Sequence, residues 1–244
     1  MNHNIQVDST SYNRYIDLYN DQIGAVSYVA HMGSDLTVVN SARVSFGVEK
    51  HELDDRDKKL IKYLIRHKHT STLEHNLITF RFCVPLFVRS QHHRHRTWSY
   101  NEISRRYTAV NIQFYEPDKY RTQHKSNRQA SNLEELIDPH VKYAHSHALA
   151  SDAIREHNNT SLELYRSLIQ SGVCREQARG VLPQNLYTEY YGTVNLSNLL
   201  KFVDLRTHVG AQWEIQQVAK ACLEIATDLF PETVGAYSEI KNER

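Results

Sequence analysis

The sequence contains little cysteine, and this shortage excludes two classes of protein. Only Cys83, Cys174 and Cys222 occur among 244 residues, and no two of them have CxxC spacing. The spacing excludes a disulfide scaffold and a cysteine-based zinc module. A chain with so few scattered cysteines is typical of a reducing compartment.

Long apolar runs are also missing. The most apolar stretch, residues 77–88, is interrupted by Arg81 and Pro85. It is far shorter than the roughly 20 apolar residues that a membrane-spanning helix needs. Residues 1–7 are polar and do not resemble a signal peptide. We therefore expect a soluble, cytoplasmic protein without a membrane partner.

Neither sign of charge is in excess, whereas histidine is abundant. The chain has 29 basic and 28 acidic residues, which give a formal net charge of +1. Such a balance argues against a general polyanion binder, so a basic site must be local. Six of the 15 histidines lie in residues 67–95, where an even spread would place about two. This crowding marks the region in which function should be sought first.

Hydrophobic periodicity and capping residues predict a mixed α+β domain over residues 1–244. Helices are predicted at 34–43, 54–67, 85–93, 162–171, 175–182, 195–205 and 211–230, and strands at 77–84 and 186–194. The helix at 211–230 is expected to be the longest and to end at Pro231. Residues 94–107 are expected to form mostly a loop. Residues 115–147 are expected to form a polar surface excursion followed by the start of a helix.

One segment concentrates positive charge in this nearly neutral chain. Residues 89–107 contain five arginines and a single acid, Glu102. Arginine offers a planar fork of donors that suits phosphate, and histidine adds a donor or acceptor near neutral pH. Glu102 would be stabilised as a carboxylate there and could accept a hydrogen bond from a ribose hydroxyl or a ring N–H. The composition indicates recognition of phosphorylated small molecules.

Composition alone leaves other interpretations of the segment open. It could be a solvated charged loop, since such loops are common. Metal binding through His92, His93 and His95 is less favoured, because no acid nearby completes a ligand set and no HExxH occurs. A basic-loop module that binds a nucleotide or RNA without catalysis is the main alternative to an enzyme. The sequence pI of 7.8 lies below the value above about 9 expected of a dedicated nucleic-acid binder.

The order of residues in this segment is more informative than its composition. Residues 94–107 fit the pattern RHRxxSxNExSxRY at every fixed position. This pattern resembles the signature of the flavin-dependent thymidylate synthases. Residues similar to family segments also lie at 41–46, 67–75, 87–88, 171–176, 182–188, 193–195 and 211–217. Only residues from about 117 to 160 lack a recognisable match, and we interpret them as a possible polar insertion.

The resemblance implies a fold and an activity. The fold would be a single α+β domain with a central, mainly antiparallel sheet and flanking helices, including long C-terminal helices. The activity would be the reductive methylation of dUMP to dTMP, with methylenetetrahydrofolate as one-carbon donor and FAD, reduced by NADPH, as hydride carrier. No enzyme cysteine would attack the pyrimidine. The protein would be a homotetramer whose active sites are shared between subunits, and neither nucleic acid nor metal would be bound.

Residue roles follow from the family pattern only where this sequence matches it. Arg206 would be the catalytic group, because a guanidinium can stabilise the pyrimidine as an anion at its N3/O2 edge. His69 would lie near flavin and folate. The expected dUMP contacts are Gln91, His92, His93, Arg94, Glu102, Ile103, Ser104, Arg105, Arg106, Arg175 and Arg206. The expected FAD contacts are Ser71, Arg94, His95, Arg96, Asn101, Glu102, Asn195, Ser197 and Lys201.

Several of these assignments have plainer alternatives. Taken alone, Arg175, Arg206 and His69 could simply stabilise helix ends. Ser104 is expected to position the substrate, since no adjacent histidine–acid pair could activate it as a nucleophile. Ser197, Lys201 and Gly210 depart from the residues that the family often carries near FAD. Lys201 or His208 could replace the lost contacts to the flavin.

Overall fold

The computed structural model describes residues 14–127 and 130–243. The strands, numbered along the chain, are β1 (Tyr15–Asp17), β2 (Ala25–Met32), β3 (Leu77–Pro85), β4 (Ser99–Glu102), β5 (Tyr120–Gln123), β6 (Ser131–Ile137), β7 (His140–Tyr143), β8 (Ser146–Leu149) and β9 (Tyr187–Asn195). The helices are α1 (Asp35–Arg43), α2 (Asp55–Arg66), α3 (Leu86–His92), α4 (Ala150–Gln170), α5 (Arg175–Ala178), α6 (Leu196–Arg206), α7 (Trp213–Leu229) and α8 (Pro231–Asn242). Short 3₁₀ helices follow at 44–46, 70–73 and 179–181.

A five-stranded antiparallel sheet forms the centre of the fold. Its strand order is β1-β2-β3-β9-β4. The central pair, β3 and β9, runs in register from Leu77 opposite Asn195 to Pro85 opposite Tyr187. The β2–β3 pairing shifts register between Tyr28 and Ala30. Together with the helices around it, this sheet confirms the predicted α+β class with a central antiparallel sheet.

The core lies between one face of this sheet and the helices α6 and α7. Along β3, Ile78, Phe80 and Phe82 are fully buried, while Arg81 on the alternate face is exposed. The three buried side chains belong to one cluster with Phe202 of α6 and with apolar residues of α7. The alternation predicted for a half-buried strand is therefore confirmed, and burial of these side chains supplies the main stabilisation of the sheet.

Local capping explains where two predicted helices begin. The Asp54 carboxylate accepts hydrogen bonds from the backbone N–H of Arg56 and of Asp57 at the start of α2. Asn195 accepts one from the backbone N–H of Asn198 at the start of α6. These side chains satisfy amide groups that have no partner within the helix. The predictions for α1, α2, α3 and α6 are confirmed to within a residue or two.

The C-terminal region differs from the prediction. Pro231 does end α7, but it is also the first residue of a further helix, α8, that was not predicted. The buried carboxylate of Asp35 accepts hydrogen bonds from the backbone N–H of Glu232 (3.0 Å) and of Thr233 (2.9 Å). An acid 197 residues away in the chain therefore caps α8.

The prediction of the longest helix was wrong. At 21 residues α4 is longer than α7, which has 17. The segment predicted at 162–171 is the second half of α4, which ends before Gly172, a residue with a φ of +91°. The first half of α4 escaped detection because its buried face carries Ser151, Ala153 and Asn158 instead of large apolar residues.

Residues 94–149 contain strands that periodicity did not indicate. The segment 94–107 is not only a loop, because β4 pairs with β9 from Ser99 opposite Thr193 to Glu102 opposite Tyr190. The polar excursion forms two β-hairpins, β5–β6 and β7–β8. Their side chains are mostly exposed or half-buried, so they lack the apolar alternation by which strands are recognised.

The described residues contain neither a membrane-spanning helix nor a group of metal-ligating side chains. None of the helices there combines the length and the apolar character needed to cross a bilayer. Within the same residues, no three or more His, Cys, Asp or Glu side chains are grouped to hold a metal ion. Residues 1–7, interpreted above as polar and unlike a signal peptide, lie outside the described part of the chain.

Candidate active site

A basic cavity lies beside the end of β4. Its volume is about 510 Å³. It brings together four of the residues expected to bind dUMP, namely Glu102, Ile103, Ser104 and Arg105. The remaining lining residues come from α3, from β9 and from the segment between α5 and β9. They are Leu86, Arg89, Arg179, Gly180, Leu182, Gln184, Leu186 and Thr188.

Glu102 is fixed by two neighbours in this cavity. Its Oε1 accepts a hydrogen bond from Oγ1 of Thr188 (2.7 Å) and lies 3.1 Å from Nε of Arg89. The cavity lining contains three arginines, with Arg105 and Arg179, and this single carboxylate. The excess of positive charge suits an anionic ligand such as a phosphate ester.

Arg105 and Ser104 are held by the adjacent loop. Nη1 and Nη2 of Arg105 donate to the backbone carbonyls of Val110 (2.6 Å) and Asn111 (3.2 Å). Burial lowers the pKa of Arg105, which stays a cation because the pKa of arginine is above 12. Oγ of Ser104 accepts from the backbone N–H of Arg106 (3.3 Å). None of these contacts would activate the serine hydroxyl as a nucleophile.

Two arginines of this cavity were not predicted, and four of the five arginines expected to bind dUMP lie outside it. Arg89 and Arg179 line it, whereas Arg175 is exposed at the start of α5 and is not part of the lining. Arg106 points to the same helix and pairs with Glu176 at 2.9 Å. Arg179 lies one helical turn beyond Arg175 and nearer to the loop that leads to β9. The spacing alone did not single out Arg179, because residues i and i+4 share a helix face and α5 itself ends at Ala178.

A second group of expected site residues meets around Arg206, at the end of α6. Nε of Arg206 donates to Nε2 of His95 (3.0 Å), and Nη2 donates to the backbone carbonyl of Gln91 (3.3 Å). Since Nε2 of His95 accepts, the ring is neutral and carries its proton on Nδ1. Burial, with a further contribution from the Arg206 cation, lowers the pKa of His95 to about 4. The guanidinium is therefore oriented by two separate acceptors.

The side chains of His92 and His93 belong to the aromatic core rather than to a cavity. His92 is fully buried, and its Nδ1 lies 2.9 Å from the hydroxyl of Tyr190. Burial lowers the pKa of His92 well below its usual value, so the ring is neutral. His93 stacks on Tyr100 with ring centroids 4.1 Å apart. Only the backbone of His92 could contact a ligand without a rearrangement of the core.

The residues expected to bind FAD are distributed over several elements. Ser197 and Lys201 line a cavity of about 310 Å³ together with Lys68 and Thr70. Oγ of Ser197 is buried and has no hydrogen-bond partner. Such an unsatisfied hydroxyl is costly unless a ligand or water completes it. A third lysine of the lining, Lys241, pairs with Asp204 at 3.0 Å. Lys68, Lys201 and the hydroxyl of Ser197 fit a ligand that carries phosphate groups.

The other expected flavin contacts are more exposed. Arg94, Arg96 and Asn101 are all exposed, and neither arginine forms an ion pair with any residue in the described ranges. Ser71 and His69 are exposed at the 3₁₀ helix of residues 70–73. The side chain of Asn195 is already used to cap α6, although a carbonyl oxygen has a second lone pair. The expected role of each of these residues stays a prediction.

Comparison with known proteins assigns the family. The family model described as thymidylate synthase complementing protein matches residues 27–232. The chain belongs to this family, whose curated members are named flavin-dependent thymidylate synthase. One from Thermus thermophilus is 44% identical over 216 residues, which cover 88% of this chain and 76% of the relative. One from Thermotoga neapolitana is 40% identical, and the match covers 88% of this chain and 90% of the relative.

A solved structure agrees with the same assignment. The UMP/dUMP methylase PolB from Streptomyces cacaoi, bound with 5-Br dUMP, is similar with a TM-score of 0.74 and 34% sequence identity. The superposition covers 92% of this chain and 97% of PolB. A second structure of PolB, bound with 5-Br UMP, gives a TM-score of 0.71 at 33% identity and covers 88% of this chain and 93% of PolB. The family membership that the signature at residues 94–107 indicated is confirmed.

Proposed function

We propose that the protein catalyses the reductive methylation of dUMP to dTMP, with methylenetetrahydrofolate as carbon donor and FAD reduced by NADPH as hydride carrier. The observation that carries this proposal is the cavity in which Arg89, Arg105 and Arg179 surround one carboxylate, in a chain of this family. It offers donors for a nucleotide phosphate and an acceptor, Glu102, for a hydroxyl or ring N–H. A basic-loop module without catalysis is less favoured, because the family is one of synthases.

In this proposal the nucleotide is held by two groups of residues that share α3. Arg89, on α3, belongs to the basic cavity, and Gln91, near its end, belongs to the group around Arg206. The phosphate is bound by Arg105 and Arg179, and Ser104 positions the nucleotide. Arg206 holds the N3/O2 edge of the pyrimidine and stabilises negative charge there, which makes C5 more nucleophilic.

FAD would be bound by Arg94, Arg96 and the lysine-rich cavity at Lys201. The two exposed arginines suit the pyrophosphate because their guanidinium groups form no internal ion pair in the described part of the chain. When bound and reduced, FAD supplies the hydride that completes the methyl group. The unsatisfied hydroxyl of Ser197 would gain a hydrogen-bond partner from the cofactor.

The enzyme's cysteines are unsuited to attack the pyrimidine. Burial raises the pKa of Cys83 to about 12, and it raises the pKa of the fully buried Cys222. Cys174 is exposed and donates to the side chain of Gln177 (3.6 Å). None of the three lines the basic cavity. A thiol that stays protonated is a poor nucleophile, which supports activation of the ring without covalent attack by the enzyme.

We further propose a homotetramer of single-domain subunits, located in the cytoplasm, with active sites shared between subunits. Val44 and Phe46 of the 3₁₀ helix at 44–46 are 71% and 84% exposed. Val48 beside them is 45% exposed. Such neighbouring apolar side chains are typical of a surface that another subunit covers. Light scattering after size-exclusion chromatography measures the mass directly, and a monomer would contradict this part of the proposal.

The activity is tested with dUMP that carries tritium at C5, since methylation at that carbon releases the tritium into water. The purified protein should show flavin absorption and should release tritium only when folate, NADPH and FAD are all present. UMP is assayed in parallel, because PolB is described as a UMP/dUMP methylase. A colourless protein that does not bind added FAD, and that binds RNA in a salt-dependent way, would overturn the proposal in favour of the binding module.

A further inference from the structure

We infer that Glu214 and Arg121 are positioning residues that set the direction of a chain of side-chain amides ending at Gln91. The inference rests on the proposed function, because Gln91 is one of the residues proposed to contact the nucleotide. Arg121 lies on β5, in the segment for which no family match was recognised. The segment would therefore contribute to the site without touching the substrate.

The contacts form a continuous path from the β5–β6 hairpin to α3. Nη2 of Arg121 donates to Oε1 of Glu214 (2.6 Å). Nε2 of Gln212 donates to Oε2 of the same carboxylate (2.9 Å), and Nε2 of Gln91 donates to Oε1 of Gln212 (2.5 Å). The hydroxyl of Tyr115 also donates to Glu214 (3.2 Å). Arg121 thus holds Glu214, Glu214 holds Gln212, and Gln212 holds Gln91.

The charge of Glu214 determines the direction of this path. An amide side chain can present either its oxygen or its nitrogen, whereas a carboxylate only accepts hydrogen bonds. Gln212 must therefore turn its nitrogen to Glu214 and its oxygen to Gln91. Gln91 in turn uses its nitrogen, so its Oε1 remains as an acceptor for a donor group of the nucleotide. The backbone carbonyl of Gln91 is fixed separately by Arg206.

Arg121 makes the carboxylate possible in this environment. The side chain of Glu214 is 4% exposed and that of Arg121 is 22% exposed. An unpaired charge is costly in such a buried place, and the cation of Arg121 offsets this cost. Without Arg121 the carboxylate would lose the partner that fixes its orientation, and Gln212 would no longer be held in one direction. Arg121 itself is held in place by Ser131, whose Oγ accepts from Nε (2.9 Å), and by packing over Trp213 at 5.2 Å.

The test compares Arg121→Ala, Arg121→Lys and Glu214→Gln with the wild type. In Arg121→Ala we expect the KM for dUMP to rise about tenfold, the effect of one lost hydrogen bond, with a much smaller change in kcat. Arg121→Lys should keep the wild-type KM, because it retains a cationic donor for the carboxylate. Glu214→Gln should raise the KM, because an amide cannot enforce the direction.

Other polar groups also surround Glu214. The hydroxyl of Tyr115 contacts its carboxylate, and the hydroxyl of Tyr19 reaches its backbone carbonyl. Burial raises the pKa of both tyrosines, so they stay protonated near neutral pH. Lys119 and His157 line the adjoining cavity. A His157→Gln variant should keep the wild-type KM, because His157 contacts Tyr143 rather than the path.

Arg155→Ala is the matched control. Arg155 is an exposed arginine at the base of the same segment, and it pairs with Glu116 and Asp152 rather than with Glu214. The KM of Arg155→Ala for dUMP should equal that of the wild type. If Arg121→Ala keeps the wild-type KM, or if all the variants lose kcat and thermal stability together, the inference is overturned. If the wild type itself neither binds nor methylates dUMP, the proposed function fails instead.

Discussion

Replacement of Arg206 by lysine keeps the positive charge but removes the planar, forked set of N–H donors of the guanidinium. The guanidinium has five N–H donors. Two of them are used within the protein, one on His95 and one on the carbonyl of Gln91, at 3.0 and 3.3 Å. The remaining three point away from these acceptors and are free for the pyrimidine edge. A lysine has a single nitrogen, so it cannot satisfy both internal acceptors and still meet a ligand in a fixed orientation.

We expect Arg206→Lys to lower kcat by about 100- to 1,000-fold, the loss measured when one preorganised donor is removed from an anion-stabilising site. Arg206→Ala should lose at least as much. Tritium release in a single turnover measures the chemical step, and equilibrium binding of dUMP measures ground-state affinity. The affinity should fall less than the rate, because the charge on the pyrimidine develops during the reaction.

An arginine on the surface provides the control for the exchange. Arg155→Lys changes the same functional group where only the exposed Asp152 and the half-buried Glu116 are contacted, and it should leave kcat unchanged. If Arg206→Lys retains more than about a third of the wild-type kcat, Arg206 acts only as a positive charge, and the role of its two fixed hydrogen bonds in orienting it is refuted.

Arg179→Gln should raise the KM for dUMP by about tenfold or more through loss of a charge-assisted hydrogen bond, while Arg175→Gln should leave the KM unchanged. Equal effects of the two variants in steady-state assays would contradict the placement of the two arginines. Asp35→Ala should lower the free energy of unfolding by about 2–4 kcal/mol, because two backbone N–H groups and the hydroxyl of Thr233 lose their acceptor. A change below about 1 kcal/mol in urea denaturation would count against this capping role. The free energy of unfolding should fall as pH decreases from 6.5 to 4, because His95 binds a proton in the unfolded chain but stays neutral in the folded protein. In His95→Gln the urea midpoint should fall less steeply with decreasing pH. An unchanged slope would refute the contribution of His95 to the pH dependence.

Local sequence predicted the elements whose ends depend on their own residues. The start of α2 at Asp54 and of α6 at Asn195 follow from side chains that cap amides two or three residues away. The strand β3 was recognisable because one of its faces is fully buried. In each case the stabilising contact and the pattern that indicates it lie within the same ten residues.

Elements that depend on distant partners were not predictable in this way. Pro231 is compatible with the end of one helix and the start of another, and only the capping carboxylate of Asp35 decides in favour of the second. The polar strand β4 exists because β9 offers it a free edge. Hairpin β5–β6 is exposed on most of its surface, so no hydrophobic pattern marks it.

The candidate site shows the same division between features that local sequence indicates and features that depend on distant partners. Glu102, Ser104 and Arg105 were found from the signature and do lie in one cavity, whereas Arg179 was missed. Two arginines one turn apart on a helix are equivalent in sequence, and the packing of the following loop determines which one faces the cavity. The path through Glu214 could not be predicted either, since it joins residues from β5, α7 and α3.

The crowding of histidines therefore has a structural explanation as well as a chemical one. His92 is neutral and buried, with its ring 4.5 Å from that of Trp98 and 4.8 Å from that of Phe202. The hydroxyl of Tyr100 donates to the backbone carbonyls of both His92 and His95. These contacts fix the end of α3 and the turn after it, from which Gln91 and the arginines of the signature project. Arginines are the proposed anion contacts in this arrangement, His95 orients Arg206, and the buried ring of His92 helps to fix the backbone from which the signature projects.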